Sequence, residues 1–268
     1  MPAPTILRFP GSKAQFIHPL SPLLDGLLRG RKSFHDVFCG GGTVALMIAE
    51  RFPRLELHLN DLDPDLSAFW RVVAGKGVEG LCDRLDIRPT LDLFTHLRRT
   101  APTDEIDRAF RALFFSRCSF SGLLHGSPLG GYRQMSPNRV FSRYHGRRLI
   151  EQVMQAHRLL AGMTLVSCLD GTQYVRRHPQ APMYLDPPYF EKGDSLYRQR
   201  MTLADHLALA EALRTASNWV LCYDRSPVVE ALYEWAGRRV VEARYSINGR
   251  KAKWAAREEL VIIPPGKS

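Results

Sequence analysis

The sequence predicts an α/β fold: an open, mostly parallel sheet with helices on both faces. Three observations carry that prediction. Short apolar runs alternate with helical patterns at both ends of the chain, which is the pattern of strands covered by crossover helices. A glycine cluster, Gly40-Gly41-Gly42, sits between the first run and the first helical pattern, as in ligand-binding strand–turn–helix units. The 268 residues suit one large domain, or one domain carrying an insertion.

Taken in order, Ser33–Phe38 reads as a strand entering the glycine cluster. Thr43–Phe52 then places Val44, Leu46, Met47, Ile48 and Phe52 at helical spacing. Leu55–Leu59 reads as a second strand ending at Asn60-Asp61. Met163–Ser167, Met183–Asp186, Trp219–Tyr223 and Glu259–Ile263 read as further strands. Helical patterns at Leu149–Leu160, Leu203–Ala216 and Val228–Trp235 lie between them. From about Gly75 to Gly146 no strand pattern occurs. Asp104–Phe115 is helical there, and a glycine-, serine- and arginine-rich stretch follows. Residues 75–146 are therefore expected to form an inserted, mainly helical subdomain between 1–74 and 147–268.

Hydrophobic residues make up 45% of the chain and the mean hydropathy is −0.21, which fits a globular protein with a core. No apolar run approaches the roughly 18 residues of a membrane span. The N-terminus lacks a signal-peptide layout, so a cytoplasmic location is expected. Cysteines 39, 82, 118, 168 and 222 form no CxxC pair, so reduced thiols are expected rather than a disulfide framework or a zinc site. The net charge of +10 favours a polyanionic partner.

Four constellations carry chemistry. In Phe38-Cys39-Gly40-Gly41-Gly42-Thr43, a glycine turn lets a ligand approach the backbone. Asp61, at the next strand's end, can accept hydrogen bonds from ribose hydroxyls. The pair suits either a dinucleotide or S-adenosylmethionine. Asp186-Pro187-Pro188-Tyr189 follows the apolar strand Met183–Leu185. An exocyclic amine on a heteroaromatic ring is a poor nucleophile, because its lone pair is delocalised. A carboxylate and a main-chain carbonyl can draw on its two N–H groups and aim the lone pair at a methyl sulfonium. Two prolines fix φ and remove donors, holding the carbonyls rigid. The tyrosine offers a face for an extruded base.

The third constellation, Arg8-Phe9-Pro10-Gly11-Ser12-Lys13, lacks the upstream glycine of a phosphate-binding loop, which excludes that NTPase class. Its aromatic and lysine suit an adenine and a carboxylate. The fourth is electrostatic. Eight arginines (108, 111, 117, 133, 139, 143, 147 and 148) lie between Arg108 and Ile150 with no Asp or Glu, interleaved with aromatics. The planar, bidentate arginine fork suits phosphates and guanine edges, so this stretch is expected to contact nucleic acid. A smaller basic cluster, Arg238 to Arg257, holds the hairpin signal Asn248-Gly249 with Arg250, Lys251 and Lys253 after it.

Together these residues resemble the Dam-type N6-adenine DNA methyltransferases, in the α arrangement of their motifs. Phe9-Pro10-Gly11-Ser12-Lys13 is similar to the family's N-terminal cofactor motif. Asp36–Thr43 resembles its glycine-rich motif, and Asn60-Asp61 its acidic strand end. Ser119-Phe120-Ser121-Gly122-Leu123 resembles part of its target-recognition insertion, Asp170-Gly171 its cofactor-adenine position, and Asp186–Tyr189 its catalytic motif. Tyr197, Asp205-His206 and Glu259-Leu260 resemble its downstream pattern. Phe9 stands where Trp or Tyr is common, and Asp36-Val37 where an acid followed by Pro is common.

The resemblance implies a Rossmann-like S-adenosylmethionine-dependent fold with a mixed seven-stranded sheet. It implies cofactor contacts at Phe9, Pro10, Gly11, Lys13, Phe38, Gly40, Gly42, Asp61, Asp170 and Asp186. Asp186 and the Pro187 carbonyl would bind the target amine and Tyr189 would stack on a flipped adenine. Double-stranded DNA would meet Arg117, Ser119, Ser121, Arg133, Asn138, Arg139, Arg143 and Arg147. The expected reaction is sequence-specific N6-adenine methylation by a monomer, without a metal or covalent enzyme intermediate, either alone or beside a cognate restriction endonuclease. N4-cytosine or RNA methylation, a nicotinamide-dependent oxidoreductase and a non-catalytic nucleic-acid-binding module are the competing readings. The last two leave Asp186–Tyr189 or the cofactor-side motifs unexplained.

Overall fold

The computed structural model describes residues 6–8, 13–190, 201–247 and 253–266. The described strands are β1 (Ser33–Asp36), β2 (Glu56–Asn60), β3 (Thr164–Ser167), β4 (Met183–Leu185), β5 (Trp219–Tyr223), β6 (Gly237–Ile247) and β7 (Lys253–Ile263). They form one seven-stranded sheet in the order β3-β2-β1-β4-β5-β7-β6. β1 runs parallel to both β2 and β4, β2 to β3, and β4 to β5. β7 is the reversed strand, pairing antiparallel with β5, so that Tyr223 faces Leu260, and with β6 on its other side. The expected mixed α/β sheet is what forms.

Each crossover is helical: α1 (Ile17–Leu28), α2 (Thr43–Arg51), α3 (Pro64–Ala74), α7 (Gly146–Leu160), α8 (Gly171–Arg177), α9 (Leu203–Arg214) and α10 (Pro227–Leu232), with α4 (Val78–Asp83), α5 (Leu91–Arg99) and α6 (Glu105–Cys118) in the 75–146 stretch. Local chemistry sets several starts. Asp63 accepts from the Asp65 amide ahead of Pro64, Asp104 from Asp107, and Asp170 from Gln173. Thr202 and Asp205 close a reciprocal capping box on α9. Each such cap stabilises by about 1 kcal/mol.

The sheet buries both faces. Phe34, Tyr184, Val220 and Val261 pack in one apolar cluster with Leu20 and Leu24 of α1, Leu46 of α2, Phe69 of α3 and Val153 of α7. Leu185, Leu221 and Ile262 pack on the other side with Val175 of α8, Leu209 and Leu213 of α9, and Val229 of α10. Residues 75–146 contain no strand, only an isolated bridge between Ser119 and Pro128. Phe94, Phe110, Phe114 and Phe115 from this stretch join the first cluster directly.

The sequence pattern differs from the structure in several places. α1, α3 and α8 have no counterpart in it. α10 ends at Leu232 rather than reaching Trp235, which lies in the turn leading to β6. The strand expected at Glu259–Ile263 begins at Lys253 and pairs along its whole length with β6. The hairpin tip expected at Asn248-Gly249, with Arg250 and Lys251, lies outside the described residues.

Candidate active site

The site lies at the carboxyl ends of β1, β2 and β4, where parallel strands leave a crevice for ligand. The glycine turn after β1 has two left-handed residues, Gly40 (φ 49) and Gly42 (φ 68). A Cβ on Gly42 would stand 2.2 Å from the Trp70 ring, so this turn needs glycine for space as well as for φ. Trp70 Nε1 donates to the Gly40 carbonyl at 2.9 Å. Phe38 packs on Gly171 at the start of α8, where an added Cβ would meet its ring at 2.3 Å. Asn60 Nδ2 donates to the Val37 and Leu169 carbonyls, tying the strand ends together.

Asp61 closes the turn. Its carboxylate accepts from the Gly40 amide at 2.8 Å and the Asp63 amide at 2.9 Å. Burial nevertheless holds this carboxyl up at about 6, against the pull of those amides. Asp36, at the end of β1, is 2% exposed. Burial first, then Asp186 and Asp61, hold it well above the usual carboxylate range, while the Ala45 amide pulls the other way. Its Oδ1 has no hydrogen-bond partner. Asp61 and Asp186 therefore both press on the buried Asp36 at the crevice floor, an arrangement that a cation relieves.

Asp186 follows β4, with Pro187 buried behind it. Lys13 Nζ lies 2.7 Å from Asp186 Oδ1 and 3.1 Å from Glu259 Oε1, and donates to the Tyr189 hydroxyl at 2.5 Å. That hydroxyl donates onward to Glu259 Oε1 at 2.6 Å. Lys13, Tyr189 and Glu259 are 3%, 4% and 2% exposed. Burial pulls the ammonium's proton affinity down, but Asp186, Tyr189 and Glu259 outweigh it, and Lys13 stays charged well above its usual range. Burial, with Asp186 next, holds the Tyr189 phenol well above its usual value, so it remains a donor.

The expected site residues divide. Lys13, Phe38, Gly40, Gly42, Asp61, Asp170, Asp186, Pro187 and Tyr189 converge on the strand ends, with the Asp170 carboxylate also capping α8. Phe9, Pro10, Gly11 and Tyr197 lie outside the described residues. Ser121, Arg133, Asn138, Arg139 and Arg147 are exposed, and Arg143 is partly so. Ser119, by contrast, is buried, with Arg98 donating to its hydroxyl at 3.4 Å.

The acid-free arginine stretch is not uniformly a surface. Arg117 turns inward and donates to the Ile6 carbonyl. Burial, with Arg8 and Arg148 nearby, brings it down to about 10. Arg111 is buried, bonded to Asp107 and to the Leu97 and Thr100 carbonyls. Arg108 pairs with Asp65 on α3 at 2.8 Å. Their partners lie outside the acid-free stretch, Asp107 just before it, Asp65 on α3 and the Ile6 carbonyl near the N-terminus, so the local run of arginines does not reveal them.

Sequence reasoning passed over Glu259 as a site residue, reading it only as strand. β7 runs antiparallel, so a residue in the middle of that strand comes alongside the carboxyl end of β5. No local spacing signals that. Asp36 falls within the glycine-rich motif Asp36–Thr43 but is not among the expected site residues, although an acid ending the strand before a glycine turn is signal enough.

The sheet order with its reversed β7, the glycine turn and Asp186–Tyr189 define a Rossmann-like methyltransferase directed at a base amine. The chain belongs to the D12 class of N6-adenine-specific DNA methyltransferases, whose sequence model matches residues 9–247. Among curated proteins, none matches it. The enzyme methylates adenine N6 in DNA, and the cytosine and nicotinamide readings find no support.

Proposed function

We propose that the methyl donor is S-adenosylmethionine and that the target adenine is turned out of duplex DNA into the crevice beside Asp186. The observation that carries this reading is the acidic crevice floor, the buried Asp36 with the half-buried Asp61 and Asp186 acting on it and an unpartnered oxygen on Asp36. S-adenosylmethionine carries two cationic centres, a sulfonium and an ammonium, beside one carboxylate, and supplies an electrophilic methyl group when bound. Phe38, Gly40, Gly42, Asp61 and Asp170 form its side of the crevice. Lys13 belongs there too, with Phe9, Pro10 and Gly11 from the segment before it.

Asp186 and the Pro187 carbonyl accept the two N6–H bonds. That pulls the nitrogen toward tetrahedral geometry and points its lone pair at the methyl carbon. Tyr189 supports the base through its ring face. No base is needed before transfer, since the methylated nitrogen loses its proton afterwards to Asp186 or water. Residues 75–146 act as the DNA-reading unit. Ser121, Arg133, Asn138, Arg139, Arg143 and Arg147 present its polar surface to phosphates and base edges. Arg117 and Ser119 support that surface from within.

The test is transfer of labelled methyl from S-adenosylmethionine to duplex DNA. The Asp186→Ala variant is expected to lose it. A variant working at the wild-type rate refutes the mechanism.

A further inference from the structure

Glu259 is the one charged group of the buried cluster that none of the chemistry above uses. It sits on β7, and only the reversal of that strand brings it to the carboxyl end of β5, where Tyr223 pairs with Leu260. It is 2% exposed. Its Oε1 accepts from the Tyr189 hydroxyl at 2.6 Å and is ion-paired with the Lys13 ammonium at 3.1 Å. The ammonium donates to the Tyr189 hydroxyl and is ion-paired with two carboxylates at once, Asp186 and Glu259.

We infer that Glu259 is a positioning residue for methyl transfer: by sharing the Lys13 charge it keeps Asp186 a competent acceptor for the target amine, and by holding the Tyr189 hydroxyl it fixes the ring that supports the base. The inference rests on the function proposed above and deepens it. The argument is one of charge. An ammonium bound to a single buried carboxylate forms a tight pair whose oxygen density is spent on the cation. A second carboxylate on the same ammonium divides that attraction. Asp186 then stays ionised and fixed in place by Lys13, with electron density left for the N6–H donors. The cluster of Asp186, Glu259, Lys13 and a neutral Tyr189 carries a net charge of −1, of the sign that suits a sulfonium at its mouth. Tyr189, gripped at its hydroxyl from both sides and with Lys13 Nζ 4.8 Å from its ring centre, has the far end of its ring held in place.

The experiment measures steady-state methylation of duplex DNA by wild type, Asp186→Ala, Glu259→Gln and Glu259→Asp across pH. Glu259→Gln is expected to lower kcat roughly 10- to 100-fold, the scale of small misplacements of reacting groups. KM for S-adenosylmethionine should stay within about threefold, and the acid limb of the kcat profile should move to lower pH, as Lys13 then serves Asp186 alone. Glu259→Asp, which keeps the charge on a shorter arm, is expected to recover part of the loss. A purely structural role would not move the pH limb. Wild-type kcat with an unmoved limb in Glu259→Gln overturns the inference, as does a loss confined to KM. Should that variant fail to fold, Tyr189→Phe carries the same test, since it removes only the hydroxyl that Glu259 holds. An unchanged kcat and limb there overturns the inference equally. If Asp186→Ala keeps activity, the proposed mechanism has failed instead, and the two failures are told apart.

Discussion

The crevice floor makes cofactor binding depend on pH in a definite direction. Burial holds the Asp61 carboxyl up at about 6 in the unliganded enzyme. A group whose folded value lies above its unfolded one stabilises the fold at low pH, and that contribution is lost as pH rises through the folded value. The unliganded enzyme therefore loses stability from Asp61 between about pH 4 and pH 6. A cationic centre bound beside the carboxylate recovers it. Binding selects the ionised form, so protons compete with S-adenosylmethionine. One group titrating near 6 is about one-tenth ionised at pH 5 and almost wholly ionised at pH 7.5, so Kd should be about tenfold weaker at pH 5. Asp36, raised by burial and by its acidic neighbours, adds to the effect in the same direction. Calorimetric titration with S-adenosylmethionine at pH 5, 6 and 7.5 measures it. Asp61→Asn should bind weakly at all three values with a flatter profile. An affinity independent of pH in wild type refutes the reasoning.

Other outcomes follow from the same geometry. Gly42→Ala puts a Cβ 2.2 Å from the Trp70 ring on a residue at φ 68. Overpacking and left-handed strain together cost about 2–5 kcal/mol, so the melting temperature should fall by roughly 5–15 °C; an unchanged melting curve contradicts the packing described. Replacing exposed Arg133 and Arg139 together with Ala should reduce the slope of log affinity against log salt by about 2, near 0.9 per lost phosphate contact. The same change at Arg111, which is bonded internally, should leave that slope alone and instead destabilise the fold. Equal salt slopes for the two sets would remove the 133–139 surface from the DNA interface.

Much of this was legible in the sequence, for identifiable reasons. Strands buried on both faces read as short apolar runs, and Trp219–Tyr223 falls where its run does. Asp186–Tyr189 is a contiguous tetrapeptide, so its chemistry needs no fold to be read. α1 escaped because Pro19 and Pro22 mark a loop by composition, although Leu20, Leu24 and Leu28 bury one face at four-residue spacing. Arg117 was assigned to the surface because a run of like charges does not say which way each side chain turns. The contact between Lys13 and Glu259 joins residues 246 positions apart, and only the reversed pairing of β7 creates it. Local periodicity carries elements and contiguous motifs, while carboxylates that share one cation come from the topology.

The central claim is that this chain methylates adenine N6 in DNA through Asp186. It is tested most directly by sequencing modified bases in DNA from a methylation-deficient host expressing wild type or Asp186→Ala. The expected result is N6-methyladenine at a fixed sequence context with wild type and none with the variant. N4-methylcytosine, no modified base, or an unchanged N6-methyladenine pattern with Asp186→Ala would contradict it.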